Sequence, residues 1–131
     1  MQNILNNPRK PDITFFYSGR IDITSRVVKQ LGMQEGDSIN IGSSNEGHDY
    51  FLYIQHRHDK KRPFSFDATV RPTKVRSNNF RAYSSKLCRG LLEIYDAAFK
   101  VAPQLGCPMR DDDYGVVIPL IGLINLVNDE P

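Results

Sequence analysis

Apolar residues along this chain recur mainly at every second position, the period of a half-buried strand, and at helical spacing in two places. Ile13, Phe15 and Tyr17 alternate with Thr14 and Phe16, which predicts a strand over Asp12–Tyr17. Ser18-Gly19 follows as a tight turn. Ile21 and Ile23 then alternate with Arg20, Asp22 and Thr24, so the first two strands are expected to form a hairpin. Val27, Val28 and Leu31 lie three or four apart, one apolar face of a short helix. Thr24 and Ser25 stand where a hydroxyl accepts from the free N–H groups of a first turn. Gly32 stands where a helix commonly ends in the left-handed conformation. Glu35-Gly36-Asp37 reads as a turn, and Ile39 and Ile41 resume the alternation.

Further along, Asp49–Gln55 predicts a strand with Tyr50, Leu52 and Ile54 on one face and Phe51 and Tyr53 on the other, a pattern of burial on both sides. Phe64–Arg71 alternates cleanly and is expected to pair with it, the charged turn His56–Pro63 forming the tip. Phe80–Tyr83 is a short strand. Ser84–Lys100 predicts the one long helix, with Ser84 as its N-cap and Pro103 beyond its end. Gly106–Asp113 is a loop with an acidic run, and Val116–Val127 a buried strand, or two broken at Pro119 or Gly122. The expected core is Ile21, Ile23, Val27, Leu31, Ile39, Ile41, Phe64, Phe66, Leu87, Leu91, Val117 and Ile118. The pattern therefore predicts one β-rich α+β domain over residues 12–127, with an arm at 1–11 and a tail at 128–131.

The stretch Gly19–Ile41, GRIDITSRVVKQLGMQEGDSINI, resembles the swapped-hairpin DNA-binding domain of the AbrB and MazE-like transition-state regulators. Gly19, Arg20, Ile21, Ile23, Leu31, Gly32, Asp37, Ile39 and Ile41 stand at the family's positions without a gap, across 23 of 131 residues. Thr24 stands where the family usually has proline. The resemblance implies a small barrel of swapped-hairpin type, with two copies exchanging strands across a homodimer. It also implies DNA contacts from basic residues flanking the first strand and on the short helix. At four such positions Arg20 and Lys29 are basic, whereas Ile13 and Val28 are not. A second segment echoes the first: Asp22–Leu31, DITSRVVKQL, aligns ungapped with Ala82–Leu91, AYSSKLCRGL. An internal repeat of 20–41 over 80–121 would let one chain build the same barrel, as double-psi barrels do. Arg89 would then be the counterpart of Lys29, and Lys86 of Arg26.

Charge sharpens this picture. Residues 56–90 hold ten Lys/Arg against two acids, a net +8, while the remainder holds seven against thirteen, a net −6. Eight net charges in a short segment repel one another, which points to an anionic partner there. The candidate nucleic-acid contacts are Arg20, Arg26, Lys29, Lys60, Lys61, Arg62, Arg71, Lys74, Arg76, Arg81, Lys86 and Arg89. Duplex DNA is the expected ligand, and an acidic protein partner is the alternative.

Other classes find less support. The longest mainly apolar run is 12 residues, short for a membrane-crossing helix, so no membrane partner is expected. No basic-apolar-small leader opens the chain, which points to the cytoplasm. Cys88 and Cys107 make neither a disulfide framework nor a CxxC site. His56 and His58 alternate along a strand end, and Asp111–Asp113 supplies carboxylates. Two histidines among four positive charges read as a solvated turn rather than a metal site. No GxSxG, P-loop or GxGxxG motif occurs. The expectation is a binding module, not an enzyme, without cofactor or metal.

Overall fold

The computed structural model describes residues 11–44, 49–57, 67–74 and 77–124. Its elements, in chain order, begin with β1 (Ile13–Phe16), β2 (Arg20–Ile23), α1 (Ser25–Leu31), β3 (Ser38–Ser43), β4 (Tyr50–Gln55) and β5 (Arg71–Pro72). There follow β6 (Phe80–Tyr83), α2 (Ser85–Ile94), β7 (Lys100–Val101), β8 (Pro103–Leu105), β9 (Met109–Asp111) and β10 (Gly115–Leu123).

The first unit folds as its pattern predicts, with one change in how its helix is capped. β1 and β2 pair antiparallel, Ile13 opposite Ile23 and Phe15 opposite Ile21. The turn between them needs a left-handed residue, which Gly19 supplies at φ 99°, its N–H donating to the Phe16 carbonyl at 2.9 Å. α1 starts after Thr24, but the Thr24 hydroxyl donates to the Asp12 carbonyl at 3.1 Å instead of capping the helix. A residue distant in sequence takes over: Asn79 Oδ1 accepts the Ser25 N–H at 2.9 Å. Asp37, itself buried, holds the following turn by accepting from the backbone N–H groups of Gln34 (2.8 Å) and Arg57 (3.2 Å).

α2 is shorter than expected. Ser84 does cap it, Oγ accepting the Leu87 N–H at 3.0 Å. The helix ends at Ile94, with Asp96 in the left-handed region at φ 53°. Asp96 N–H donates to the Glu93 carbonyl at 3.2 Å and Ala97 N–H to that of Leu92 at 2.8 Å. α1 ends in the same way, Gly32 N–H to Lys29 (3.2 Å) and Met33 N–H to Val28 (2.9 Å), so both helices close on a Schellman motif. Ala98 and Phe99 fit the helical period, yet the chain beyond Asp96 bends there and becomes a strand at Lys100. Val101 pairs with Phe15 of β1 and Lys100 with Phe16. Pro103 therefore opens β8 instead of lying beyond a helix.

The described strands form two five-stranded antiparallel sheets and not the closed barrel expected, and both helices are short, α1 as expected and α2 in place of the long one. The first sheet runs β5-β6-β2-β1-β7; the second runs β3-β4-β10-β8, with β9 also on β10. β4 pairs with β3 on one side and β10 on the other, and the described part of the expected partner, residues 67–71, does not pair with it. The residues before β5 pair with the start of β3 instead, Val70 N–H donating to Asp37 O at 2.8 Å and Ile39 N–H to Ala68 O at 3.1 Å. β9, expected as loop, pairs Met109–Asp111 with Val117–Gly115, and β10 runs unbroken through Pro119 with a register shift near Ile121.

The core lies between the sheets and the helices. Ile21, Ile23, Val27, Leu31, Ile39, Leu91, Val117 and Ile118 are buried as expected, and Ile41 and Leu87 are half-buried. Phe64 and Phe66 lie outside the described residues, as do the expected arm up to Lys10 and the tail. Phe15, Leu52 and Val70 complete the centre of the core.

The order of elements repeats across each sheet. β2 and β6 are antiparallel neighbours, each leads into a helix, and β1 and β5 flank them on the outside. In the second sheet β4 and β10 are the central pair, flanked by β3 and β8. The ungapped alignment of the two segments needs one adjustment. It matches Ile23, which is buried, to Tyr83, which is exposed, while β6 buries Phe80 and Ala82. Tyr83 is an extra residue between the last inward position of β6 and the N-cap.

Candidate nucleic-acid interface

The alternation of β2 and β6 decides which side chains leave the core. Ile21 opposite Ala82 and Ile23 opposite Phe80 point inward and are buried. Arg20 opposite Tyr83 and Asp22 opposite Arg81 must then point outward. Register carries this across the first sheet. One outward row reads Arg71, Arg81, Asp22, Thr14 from β5 to β1. The next reads Tyr83 and Arg20 on β6 and β2, then Phe16 and Lys100 on β1 and β7. Four cations and one carboxylate share this face.

Asp22 is the hub. Arg81 Nε–H donates to its Oδ1 at 2.8 Å, and an Arg20 terminal nitrogen lies 3.4 Å from its Oδ2. The hydrogen bond to Asp22, then its negative charge, hold the Arg81 guanidinium above its ordinary pKa. All three side chains remain more than a third exposed. Arg71 stands directly across from Arg81 and is exposed. Like charges in opposed positions destabilise a sheet, and here Asp22 supplies the counter-charge on the Arg81 side of the pair.

The two ends of the β2/β6 pair carry the helix cations. At the end where β2 stops, Asn79 ties the 73–79 loop to the start of α1, where Arg26 lies in the first turn and Lys29 in the last, both exposed. That loop is braced by Thr73 N–H to Asn79 O (2.9 Å) and Thr73 Oγ1 to Ser77 Oγ (2.9 Å), and it holds exposed Lys74. At the other end, Ser84 N–H donates to Gly19 O at 2.8 Å, which sets the start of α2 with exposed Lys86 and Arg89 beside the β1–β2 turn. The ends are about five strand residues apart, roughly 16 Å.

Of the expected contacts, the structure brings Arg20, Arg71 and Arg81 onto one face and sets Arg26, Lys29, Lys74, Lys86 and Arg89 around its ends. Lys60, Lys61, Arg62 and Arg76 lie outside the described residues. Sequence reasoning missed Lys100, which the helical period assigned to α2 and which β7 places opposite Phe16. It also gave no role to the aromatics of this region. The Arg20 guanidinium lies 4.2 Å over the Phe16 ring and that of Arg89 4.9 Å over Tyr17. A Phe-aromatic pair ahead of a Gly-Arg was the available signal.

The remaining candidate chemistry is occupied or dispersed. His56 Nδ1 is 3.0 Å from Asp37 Oδ2, part of the turn network, and His58 lies outside the described residues. Asp111 Oδ2 accepts from the N–H groups of Asp113 and Tyr114, both at 2.9 Å, which shapes the β9–β10 turn. Among the described residues no three His, Cys, Asp or Glu side chains converge as metal ligands. No helix among them is long and apolar enough to cross a membrane. Burial pushes the Cys88 thiol up to about 11, while Cys107 is exposed. Comparison with protein-family models, with curated proteins and with solved structures finds no match to this chain.

Proposed function

We propose that this protein is a nucleic-acid-binding module of regulatory or antitoxin-like kind, without chemistry of its own, and that the outward face of the first sheet is its contact surface. One observation carries the reading: Arg71 and Arg81 in one outward row and Arg20 in the next share a face across three neighbouring strands, with a single carboxylate among them. Rigid strands hold these cations at fixed spacing, which is what phosphate contacts require, and each contact releases counterions. Arg26, Lys29 and Lys74 at one end and Lys86 and Arg89 at the other extend the positive surface beyond the sheet.

In this reading the fold is of swapped-hairpin type, two interleaved copies of one hairpin-helix-hairpin unit within a single chain. The repeated strand order, the matching Schellman ends and the capping of the α1 start by Asn79 from the second segment support it. One chain then presents both halves of the binding surface, and a homodimer is not needed to complete it. An acidic protein partner would meet the same cations. The flat aromatic rings beside Arg20 and Arg89 favour nucleic acid over it.

The test is titration of labelled oligonucleotides by fluorescence anisotropy across a salt series. Replacing Arg71 and Arg81 together by alanine is expected to weaken binding and to lower the log–log salt slope by about one for each phosphate no longer neutralised. If the wild-type chain shows no salt-sensitive binding to any nucleic acid near micromolar concentration, the reading is wrong and the acidic-partner alternative replaces it.

A further inference from the structure

The second sheet has an apolar face turned away from the core. Leu52 of β4 and Ile118 of β10 stand opposite each other in the core. Alternation therefore sends Phe51 and Tyr53 of β4, and Val117, Pro119 and Ile121 of β10, to the other side. Register agrees, with Phe51 opposite Pro119 and Met109 of β9 opposite Val117. The Phe51 ring lies over the bare backbone of Gly42, where an added Cβ would be 2.6 Å from it. Pro119 and Ile121 meet over Gly106, a Cβ there falling 3.0 and 3.1 Å from their side chains. Tyr114, from the turn between β9 and β10, leans across this face, its ring centroid 4.7 Å from that of Tyr53 and 5.2 Å from that of Phe51. A groove of about 540 Å³ runs along the face, lined by Phe51, Met109, Val117, Pro119 and Ile121. Met109 is 55% exposed and Ile121 60%.

The charge on this face has one sign. Asp49, just before β4, and Asp111 of β9 also line the groove. They stand about six strand residues apart along β10, roughly 20 Å. Asp112 and Asp113 follow Asp111 in the turn and are exposed. No outward position of β3, β4, β9 or β10 holds a Lys or Arg. Nucleic acid and anionic lipid are repelled by such a surface. The cationic face of a second copy matches its charge but brings little apolar surface, since Arg20 covers Phe16 there. A groove that is apolar along its length and acidic near both ends fits a ligand that is apolar and basic at once. We propose that this face docks an extended basic segment of a partner protein. Apolar side chains at every second residue of that segment enter the groove, and a Lys or Arg near either end meets Asp49 and Asp111. This surface is separate from the cationic face of the first sheet, and the inference stands whether or not that face binds nucleic acid.

The experiment titrates three fluorescein-labelled decapeptides with the full chain and reads anisotropy. All three alternate leucine with threonine over six central residues and differ only in the pair at each end, which is lysine, serine or glutamate. The lysine peptide is expected to bind at least about tenfold more tightly than the serine peptide, and the glutamate peptide more weakly than either. That preference should shrink as salt rises. Ile121→Ser and Met109→Ser are each expected to weaken the lysine peptide at least about threefold. Both side chains are exposed, and unchanged circular dichroism and urea midpoint verify the fold of each variant. Asp49→Asn should weaken the lysine peptide about threefold at low salt and leave the serine peptide unchanged. Equal binding of the three peptides overturns the proposal. So does a lysine peptide that binds no more tightly than about millimolar, or one indifferent to both serine variants. Sedimentation equilibrium covers the remaining occupant: a dimer that Ile121→Ser abolishes, with no binding of the lysine peptide, would make the occupant a second copy and overturn the partner segment.

Discussion

Replacing Asp22 by asparagine should make this protein bind nucleic acid more tightly. Asp22 is the one carboxylate in the outward rows of the first sheet, and it holds two of the cations that face a polyanion. The Asp22→Asn side chain would keep an Oδ1 acceptor for the Arg81 Nε–H, now 2.8 Å away, so the geometry of the row survives while its negative charge goes. The ion pairs are more than a third exposed, so removing them is expected to cost no more than about 1 kcal/mol of stability. The gain in binding follows from Coulomb's law. One unit charge about 6 Å from a phosphate in a water-like dielectric is worth about 0.7 kcal/mol, roughly threefold. Removing its repulsion of one or two phosphates therefore gives about threefold to tenfold at low salt. A Debye length of about 8 Å at physiological ionic strength cuts this to less than about threefold. Arg20 and Arg81, no longer neutralised, should also steepen the salt slope by up to about one. Anisotropy titration of wild type and variant at two salt concentrations measures both effects. In an Arg81→Ala background the gain should shrink, since part of it is the freed guanidinium. A variant that folds as wild type does yet binds equally or more weakly would refute the placement of the ligand on this face.

Other substitutions and conditions test the fold. Ser84→Ala removes both the acceptor for the Leu87 N–H and the 2.7 Å hydroxyl donation to Asp67 Oδ2, and should cost about 1–2 kcal/mol by urea unfolding. Asp96→Gly relieves a non-glycine residue at φ 53°, and should stabilise by about 0.5 kcal/mol after the added entropy of the unfolded chain, raising the melting temperature. The Cys88 thiol, held near 11 by burial against an ordinary 9.0, stays protonated in the folded state where the unfolded chain has given up the proton. Its contribution is whole below about pH 9 and is lost between about 9 and 11, about 2–3 kcal/mol, so Cys88→Ala should flatten the alkaline limb of a stability–pH curve. In native protein at neutral pH, a thiol reagent should label exposed Cys107 and leave Cys88 unlabelled, a contrast that mass spectrometry reads.

The sequence by itself determined the local units. Strict alternation from Ile13 to Ile23 with glycine at the turn leaves a hairpin little choice, and Val27 and Leu31 before Gly32 fix a short helix and its end. These signals are legible because they lie within a few residues of one another and follow backbone period and turn chemistry. It also marked Arg20, Arg71 and Arg81 as candidate contacts, through the charge bias of the middle segment and the hairpin resemblance. Tertiary structure decided what those local signals leave open. Ala98–Val101 satisfies a helical period and a strand period alike. The free edge of β1 and the core position opened for Val101 beside Phe15 made Lys100–Val101 a strand, and so turned Lys100 outward. Asn79 lies 54 residues beyond Ser25, and whether it or Thr24 serves α1 depended on β6 docking against β2. The alternating pattern of 49–55 suited pairing with the segment that follows it, but β3 and β10 occupied both its edges. Whether the separate cations form one surface was likewise a question of register, since a shift of one residue would send Arg81 and Arg20 into the core and Phe80 and Ile21 into water. The burial of those apolar partners, more than any property of the arginines, is what aligned them.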